Sequence, residues 1–245
     1  MEVVDFNLIY NSLSFAIATF GASTVFFFAQ RSQVAPAYKT ALTLSGLVCL
    51  IAFYHHLRMF ESFNDAFTLM NGEVLATGSY FNATYRYVGW LLTVPLLLLE
   101  LVLVLRLGKE ETYSRGVRLV FASILMVILG YLGEGSVALS QLGDRWIYWT
   151  LAMIPFLYIL YSLVKGLNSS ILKQPKAVQR MVSNSRWLLI VSWTFYPVIY
   201  LFPMINQETS YINIQVGYTI ADVLSISIFG VMIYMTAQRK SDVGA

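Results

Sequence analysis

The stretch Tyr85-Arg86-Tyr87-Val88-Gly89-Trp90-Leu91-Leu92-Thr93-Val94-Pro95, followed by four leucines and Glu100, decides how this chain folds. It is long enough to cross a bilayer core about 30 Å thick, which takes roughly 20 residues of α-helix. It also carries an arginine and a glutamate, which cost several kcal/mol in lipid unless they are paired or wetted. At about 100° per residue, Arg86, Gly89, Thr93 and Glu100 fall within an arc of roughly 60°. That face must point at protein, with Gly89 and Glu100 about 16 Å apart along the axis. The spacing predicts an inward-facing polar stripe across the membrane.

Working outward, apolar stretches of similar length recur along the chain, and seven spans are expected: Leu8 to Ala29, Tyr38 to Phe60, Tyr85 to Leu107, Val117 to Leu139, Trp146 to Val164, Trp187 to Phe202, and Asn213 to Ala237. The intervening segments Gln30 to Ala37, Gly108 to Gly116, Gln141 to Asp144, Asn168 to Pro175 and Pro203 to Ser210 have loop chemistry. The outer segment Glu61 to Tyr80 is long enough for a short hairpin over the bundle. With 58% hydrophobic and 12% charged residues and a mean hydropathy of +0.65, the 245 residues are too apolar for a soluble domain. They read as a single all-α membrane domain, a seven-transmembrane-helix bundle with the lipid bilayer as its main partner. The net charge of +3 is spread over short loops, which argues against a nucleic-acid partner. Met1 to Asp5 lacks a basic n-region, so the first apolar segment is expected to be a retained span. The one cysteine, Cys49, lies in an apolar run and reads as core.

Basic residues collect on the cytoplasmic side of membrane proteins. Of the 16 here, only Arg58, Arg86 and Arg145 belong to one side, which leaves 13 for the other, among them Arg31, Lys39, Lys109, Arg115, Arg118, Lys165, Lys173, Lys176, Arg180, Arg239 and Lys240. The N-terminus is therefore expected outside and the C-terminus in the cytoplasm.

Ionisable and aromatic residues inside the spans are the functional candidates. The seventh span supplies Tyr218, Asp222 and Ile226 on one face. The sixth supplies Trp193, Tyr196, Pro197 and Tyr200, the second His55 and His56, and the fourth Glu134. Each has a plainer reading. Aromatic stripes usually pack, Arg86 with Asp222 can be a structural ion pair, Glu100 a neutral or snorkelling carboxylate, and His55 a satisfied core donor. No His, Cys and acid cluster has metal-ligand spacing, and no phosphate loop or nucleophile elbow is present, so neither a metal nor an enzymatic role is expected.

Taken in order, Ile51-Ala52-Phe53-Tyr54-His55, Arg86 to Leu96, Gly130-Tyr131-Leu132-Gly133-Glu134, Trp193 to Pro197, and Ala221-Asp222 followed by Phe229-Gly230 resemble the microbial (type 1) rhodopsins, most closely the proteorhodopsin branch, over nearly the whole chain. The resemblance implies that His55 is the histidine that partners the primary counterion, Arg86 the arginine of the outer exit path, and Thr93 the threonine below the chromophore. Glu100 is the implied cytoplasmic proton donor and Asp222 the second counterion. Trp90, Trp193, Tyr196 and Tyr200 are implied walls of a retinal cavity, with Pro95 and Pro197 bending its helices.

Two departures from the family pattern matter most. Ile226 stands four residues after Asp222 and four before Gly230, where the family carries its retinal lysine, and a branched alkyl group cannot condense with an aldehyde. Gly89 stands where pumps place the aspartate that accepts the proton. A pump balances two cations with two aspartates, whereas one of each, Arg86 and Asp222, remains here, so the paired losses keep the site neutral. The expected protein lacks covalent retinal and is a non-pumping sensor, a binder of non-covalent retinal or another apolar ligand, or an assembly component. The alternative is a proton or ion transporter using the polar relay His55, Arg86, Glu100 and Asp222. The chain further resembles the flotillin-associated rhodopsins. These resemblances imply a bacterial inner membrane, a homo-oligomer, most simply a pentamer, and a flotillin-like scaffold partner.

Overall fold

The computed structural model describes residues 1–134, 142–205 and 207–244. Lipid offers no hydrogen-bond partners, so a chain this apolar must satisfy its backbone within its own helices. Seven helices long and apolar enough to span a membrane result. They are α1 (Val3–Gln30), α2 (Lys39–Ala66), α3 (Thr84–Leu105), α4 (Lys109–Glu134), α5 (Leu142–Tyr161), α6 (Lys176–Tyr200) and α7 (Gln207–Asp222). Three of them run on past these bounds. α5 continues through a π-helical turn, Ser162–Gly166, into Asn168–Leu172. α6 is followed by the helical turn Phe202–Ile205. α7 widens into a π-helical stretch, Val223–Ile228, and resumes as Phe229–Asp242.

Sequential helices pack side by side from α1 to α7. The ring closes where α7 lies against α1, and α7 also reaches α2 and α3. Glycines allow two of these approaches: a Cβ on Gly46 of α2 would meet Phe28 of α1 at 2.9 Å, and one on Gly230 of α7 would meet Phe27 at 2.6 Å.

The helices are longer than the apolar windows, which corrects several expected breaks. Between α3 and α4 only residues 106–108 are non-helical, and between α5 and α6 only 167 and 173–175, so most of Gly108 to Gly116 and Asn168 to Pro175 is helix. Pro203 to Ser210 is likewise helical where described, in Phe202–Ile205 and the start of α7. The physical reason is that hydropathy marks where lipid ends, while a helix continues until a residue breaks it. The first turn of α4 carries Glu110 and Glu111, which suit a helix N-terminus, and Glu111 pairs with Arg115 one turn on at 2.8 Å. The expected end of the fourth span at Leu139 and the start of the following break at Gln141 lie outside the described residues.

The long outer segment does form a hairpin. β1 (Phe67–Met70) pairs antiparallel with β2 (Glu73–Ala76), from Phe67 opposite Ala76 to Met70 opposite Glu73. Its two-residue turn is Asn71-Gly72 with φ of 52° and 82°, the left-handed pair that a tight hairpin requires. It sits on a cluster of Phe6, Met59, Phe63, Ala66 and Phe81 that closes this end of the bundle. This end is called the hairpin end below, and the opposite one the basic end.

At the basic end Lys240 is only 2% exposed. Its ammonium donates to the terminal carbonyls of α3 at Val104 (3.0 Å) and Leu105 (3.4 Å) and to Gln174 Oε1 (2.6 Å). The tail lysine thereby caps α3 and ties it to the α5–α6 connection, a role its place in a charged tail did not signal.

Candidate ligand cavity and its carboxylate

All four residues of the α3 stripe, Arg86, Gly89, Thr93 and Glu100, are buried, as are Tyr218, Asp222 and Ile226 of α7. Helical spacing alone therefore placed both faces correctly. Between them lies an aromatic cavity of about 100 Å³. Trp90 and Thr93 of α3, Trp193, Tyr196, Pro197 and Tyr200 of α6, and Ile226 of α7 line it, joined by Tyr87, Met126, Trp149, Phe156 and Tyr218. No lysine is among the residues lining it. Pro95 is not there either, which corrects its expected place. It follows Thr93 by two residues, about 200° round the helix, so it is buried against other neighbours. The rings meet mostly edge to face: Trp90 lies 5.0 Å from both Tyr196 and Tyr218, and 4.9 Å from Tyr87.

Asp222, 1% exposed, anchors one end of this cavity. Its Oδ1 accepts from Trp90 Nε1 (2.8 Å) and Tyr196 Oη (2.7 Å), and its Oδ2 accepts from Arg86 (3.1 Å). Arg86 also donates to Gln215 Oε1 (3.1 Å) and lies over the ring of Tyr218. Both ions are thus stripped of water but paired and hydrogen bonded, the condition under which a buried pair survives, and Oδ2, with one donor, keeps room for another. His56 Nε2 lies 3.4 Å from Oδ2 without a hydrogen bond to it, while its Nδ1 donates to Ala52 O at 2.9 Å. Its neighbour His55 packs against Gly89, where an added Cβ would meet the His55 Cβ at 3.3 Å. Of the two adjacent histidines, His56 touches the carboxylate.

A second, smaller chamber adjoins the first. His55, His56, Arg86 and Gly89 line it, and Trp90, Thr93, Asp222 and Ile226 face both chambers. Its size suits one water-sized group. Among the described residues, His55 Nδ1, His56 Nε2 and Thr93 Oγ1 are buried polar atoms without a hydrogen-bond partner, and all three residues line it.

Glu100 stands apart. It is 0% exposed and hydrogen bonded to Ser45 of α2, and its Oε2 has no partner among the described residues. The buried apolar side chains of Val94, Leu97 and Leu98 occupy α3 between it and Thr93. The stripe is therefore two polar clusters and not one wired column.

At the hairpin end Glu134, singled out by sequence without a partner, holds a second cluster. It accepts from Tyr87 Oη and from Tyr218 Oη (3.1 Å), and its other oxygen lies 3.7 Å from Arg145. Arg145 in turn donates to the carbonyl of Tyr200 (3.1 Å) and stacks on its ring at 4.3 Å. Two cavity tyrosines are thus fixed from behind by one carboxylate, and a third, Tyr200, by the arginine beside it. Gly133 lets Tyr200 in, since a Cβ there would collide with its hydroxyl.

Comparison with known proteins agrees with this architecture. Residues 7–239 match the family described as Bacteriorhodopsin-like protein. Over 236 residues the chain is 32% identical to the green-light absorbing proteorhodopsin of Gamma-proteobacterium EBAC31A08, covering 95% of this chain and 88% of that one. It is 29% identical over 192 residues to the bacteriorhodopsin of Halobacterium salinarum, covering 77% and 68%. Among solved structures, xanthorhodopsin, described as a light-driven ion pump with dual chromophore, superposes with a TM-score of 0.94 at 43% identity, covering 100% of this chain and 97% of that one. A thermophilic rhodopsin superposes equally well at 41% identity, covering 100% and 98%. Seven spanning helices closed around an aromatic cavity, with a buried arginine–aspartate pair at its end, belong with these matches to one conclusion: the chain is a membrane protein of the bacteriorhodopsin-like, microbial rhodopsin family.

Proposed function

We propose that this rhodopsin-fold protein holds an elongated apolar ligand without a covalent bond, acts as a sensor, binder or assembly component, and does not pump ions by light. The observation that carries the reading is Ile226. It is 3% exposed, faces both chambers one turn beyond Asp222, and presents an alkyl group where the resemblance places the family's lysine. Retinal supplies light absorption when it is bound in this family, and a cavity walled by aromatic rings suits its polyene chain. The covalent attachment does not fit, because the lining residues include no primary amine. Nor does Gly89 offer an acceptor for a proton. Asp222 and Arg86 neutralise each other, so the cavity asks for a ligand without net charge. The loop charges support an outside N-terminus and a cytoplasmic C-terminus, and kinship with bacterial proteorhodopsins supports the inner membrane of a bacterium and a ring of identical copies.

The test is to incubate the purified protein with all-trans-retinal in the dark, treat it with borohydride and weigh the intact protein. We expect no retinyl adduct on any peptide of α7 and no red-shifted visible band. An adduct within the bundle would overturn the reading.

The alternative, a transporter of protons or ions, is favoured by the survival of buried Arg86, Asp222 and Glu100. Proteoliposomes with and without retinal and light separate the two: a reproducible pH change that Glu100→Gln abolishes would establish transport.

A further inference from the structure

The head end of the cavity specifies its ligand more narrowly, on the proposed reading that the cavity binds an apolar molecule. A chain lying in the aromatic chamber ends where Thr93, Asp222 and Ile226 face both chambers. A headgroup there meets an acceptor-only carboxylate, two imidazole nitrogens and a hydroxyl. Thr93 Oγ1 is notable because threonine in a helix commonly bonds a carbonyl one turn back, as Thr24, Thr43 and Thr219 do here. Thr93 does not, and its hydroxyl is buried without a partner. His56 gives its Nδ1 to Ala52 O, so in the neutral ring its Nε2 is an acceptor that needs a donor. Leaving such atoms unpaired in a buried site costs about 1–3 kcal/mol each.

The site therefore asks for a group that both donates and accepts and carries no charge. An aldehyde or ether oxygen only accepts, so it can satisfy Thr93 but not Asp222 or His56. A carboxylate only accepts and would lie against Asp222. An ammonium would meet an aspartate that Arg86 has already neutralised. A hydroxyl fits: it can accept from Thr93 and donate to Asp222 or His56, and the missing side chain of Gly89 leaves room for a water-sized group.

We propose that the two chambers form one site for a long, unsaturated or isoprenoid primary alcohol, with its chain among the aromatic rings and its hydroxyl at Thr93 and Asp222. Four probes of one skeleton test this on the full chain in nanodiscs: retinol, retinyl methyl ether, retinal and retinoate, each titrated by quenching of tryptophan fluorescence and by competition with retinol. Retinol should bind at least about tenfold more tightly than the other three, the factor expected for one buried hydrogen bond made or lost. Thr93→Val removes the donor that every one of these oxygens can use, so it should weaken retinol and the ether alike while retinol keeps its advantage over the ether.

Equal binding of retinol and its ether by the unmodified protein would overturn the alcohol assignment and leave the apolar site standing. Preference for retinoate would overturn it in favour of an anion at Arg86. Failure of all four to bind would overturn both the assignment and the reading on which it rests. The wild-type series decides even where Thr93→Val fails to fold.

Discussion

Placing a primary amine at position 226 is the sharpest perturbation of this site. In Ile226→Lys the new side chain starts from a buried position in the π-helical stretch of α7, one turn from Asp222 and facing the aromatic chamber. It should therefore meet the aldehyde of added retinal and form an imine. The charge on that imine is what the structure predicts. Asp222 already receives Arg86 at 3.1 Å on one oxygen, with Trp90 and Tyr196 on the other, so a protonated imine would add a cation without adding an anion. At an effective dielectric constant of about 20, a missing opposite charge at about 4 Å is worth about 4 kcal/mol, close to a thousandfold in the protonation equilibrium.

The single variant should therefore bind retinal as a neutral imine absorbing in the near ultraviolet at neutral pH, and it should show no light-driven pH change. Adding Gly89→Asp restores the missing anion. Its Cβ meets His55 at 3.3 Å, a contact relieved by a shift of a few tenths of an ångström. The double variant should be coloured. Absorption spectra with and without borohydride trapping distinguish the cases. A strong visible band from Ile226→Lys alone would refute the charge argument, and no adduct in either variant would refute the placement of residue 226.

Three further substitutions probe how the cavity is held. Lys240→Met keeps the stem but removes the donors that cap α3, and should lower stability by about 2 kcal/mol, read as a fall in the thermal midpoint in detergent. Glu134→Ala strips Arg145, Tyr87 and Tyr218 of their shared acceptor and should cost about 3 kcal/mol, whereas Glu134→Gln keeps an acceptor and should cost less. Gly230→Ala forces a Cβ to within 2.6 Å of Phe27 and should cost about 1–3 kcal/mol by thermal melting; Phe27→Leu in the same chain should recover part of it. Unchanged midpoints would show that these contacts do not hold the bundle.

Much of the architecture was legible because lipid imposes one local rule. Twenty apolar residues in a row must be helix, and the 3.6-residue period then fixes which side chains share a face. Arg86, Gly89, Thr93 and Glu100, and likewise Tyr218, Asp222 and Ile226, were grouped by that period, and both groups face inward. The hairpin was foreseen only in outline, although Asn71-Gly72 is a strong local signal for its turn. Helix ends were misjudged because hydropathy reports the lipid boundary, while α4 and α5 continue past it on polar side chains.

The sequence by itself determined seven spans, an aromatic interior, Arg86 and Asp222 within the spans, and an alkyl group at position 226. Only the tertiary structure decided which of two adjacent histidines meets the carboxylate, that Pro95 turns away from the cavity, that Glu134 secures Tyr87 and Tyr218, and that Lys240 caps α3. Periodicity is a property of one helix, whereas a contact between helices depends on how each is rotated and shifted against its neighbour. That is settled by packing side chains from several helices at once.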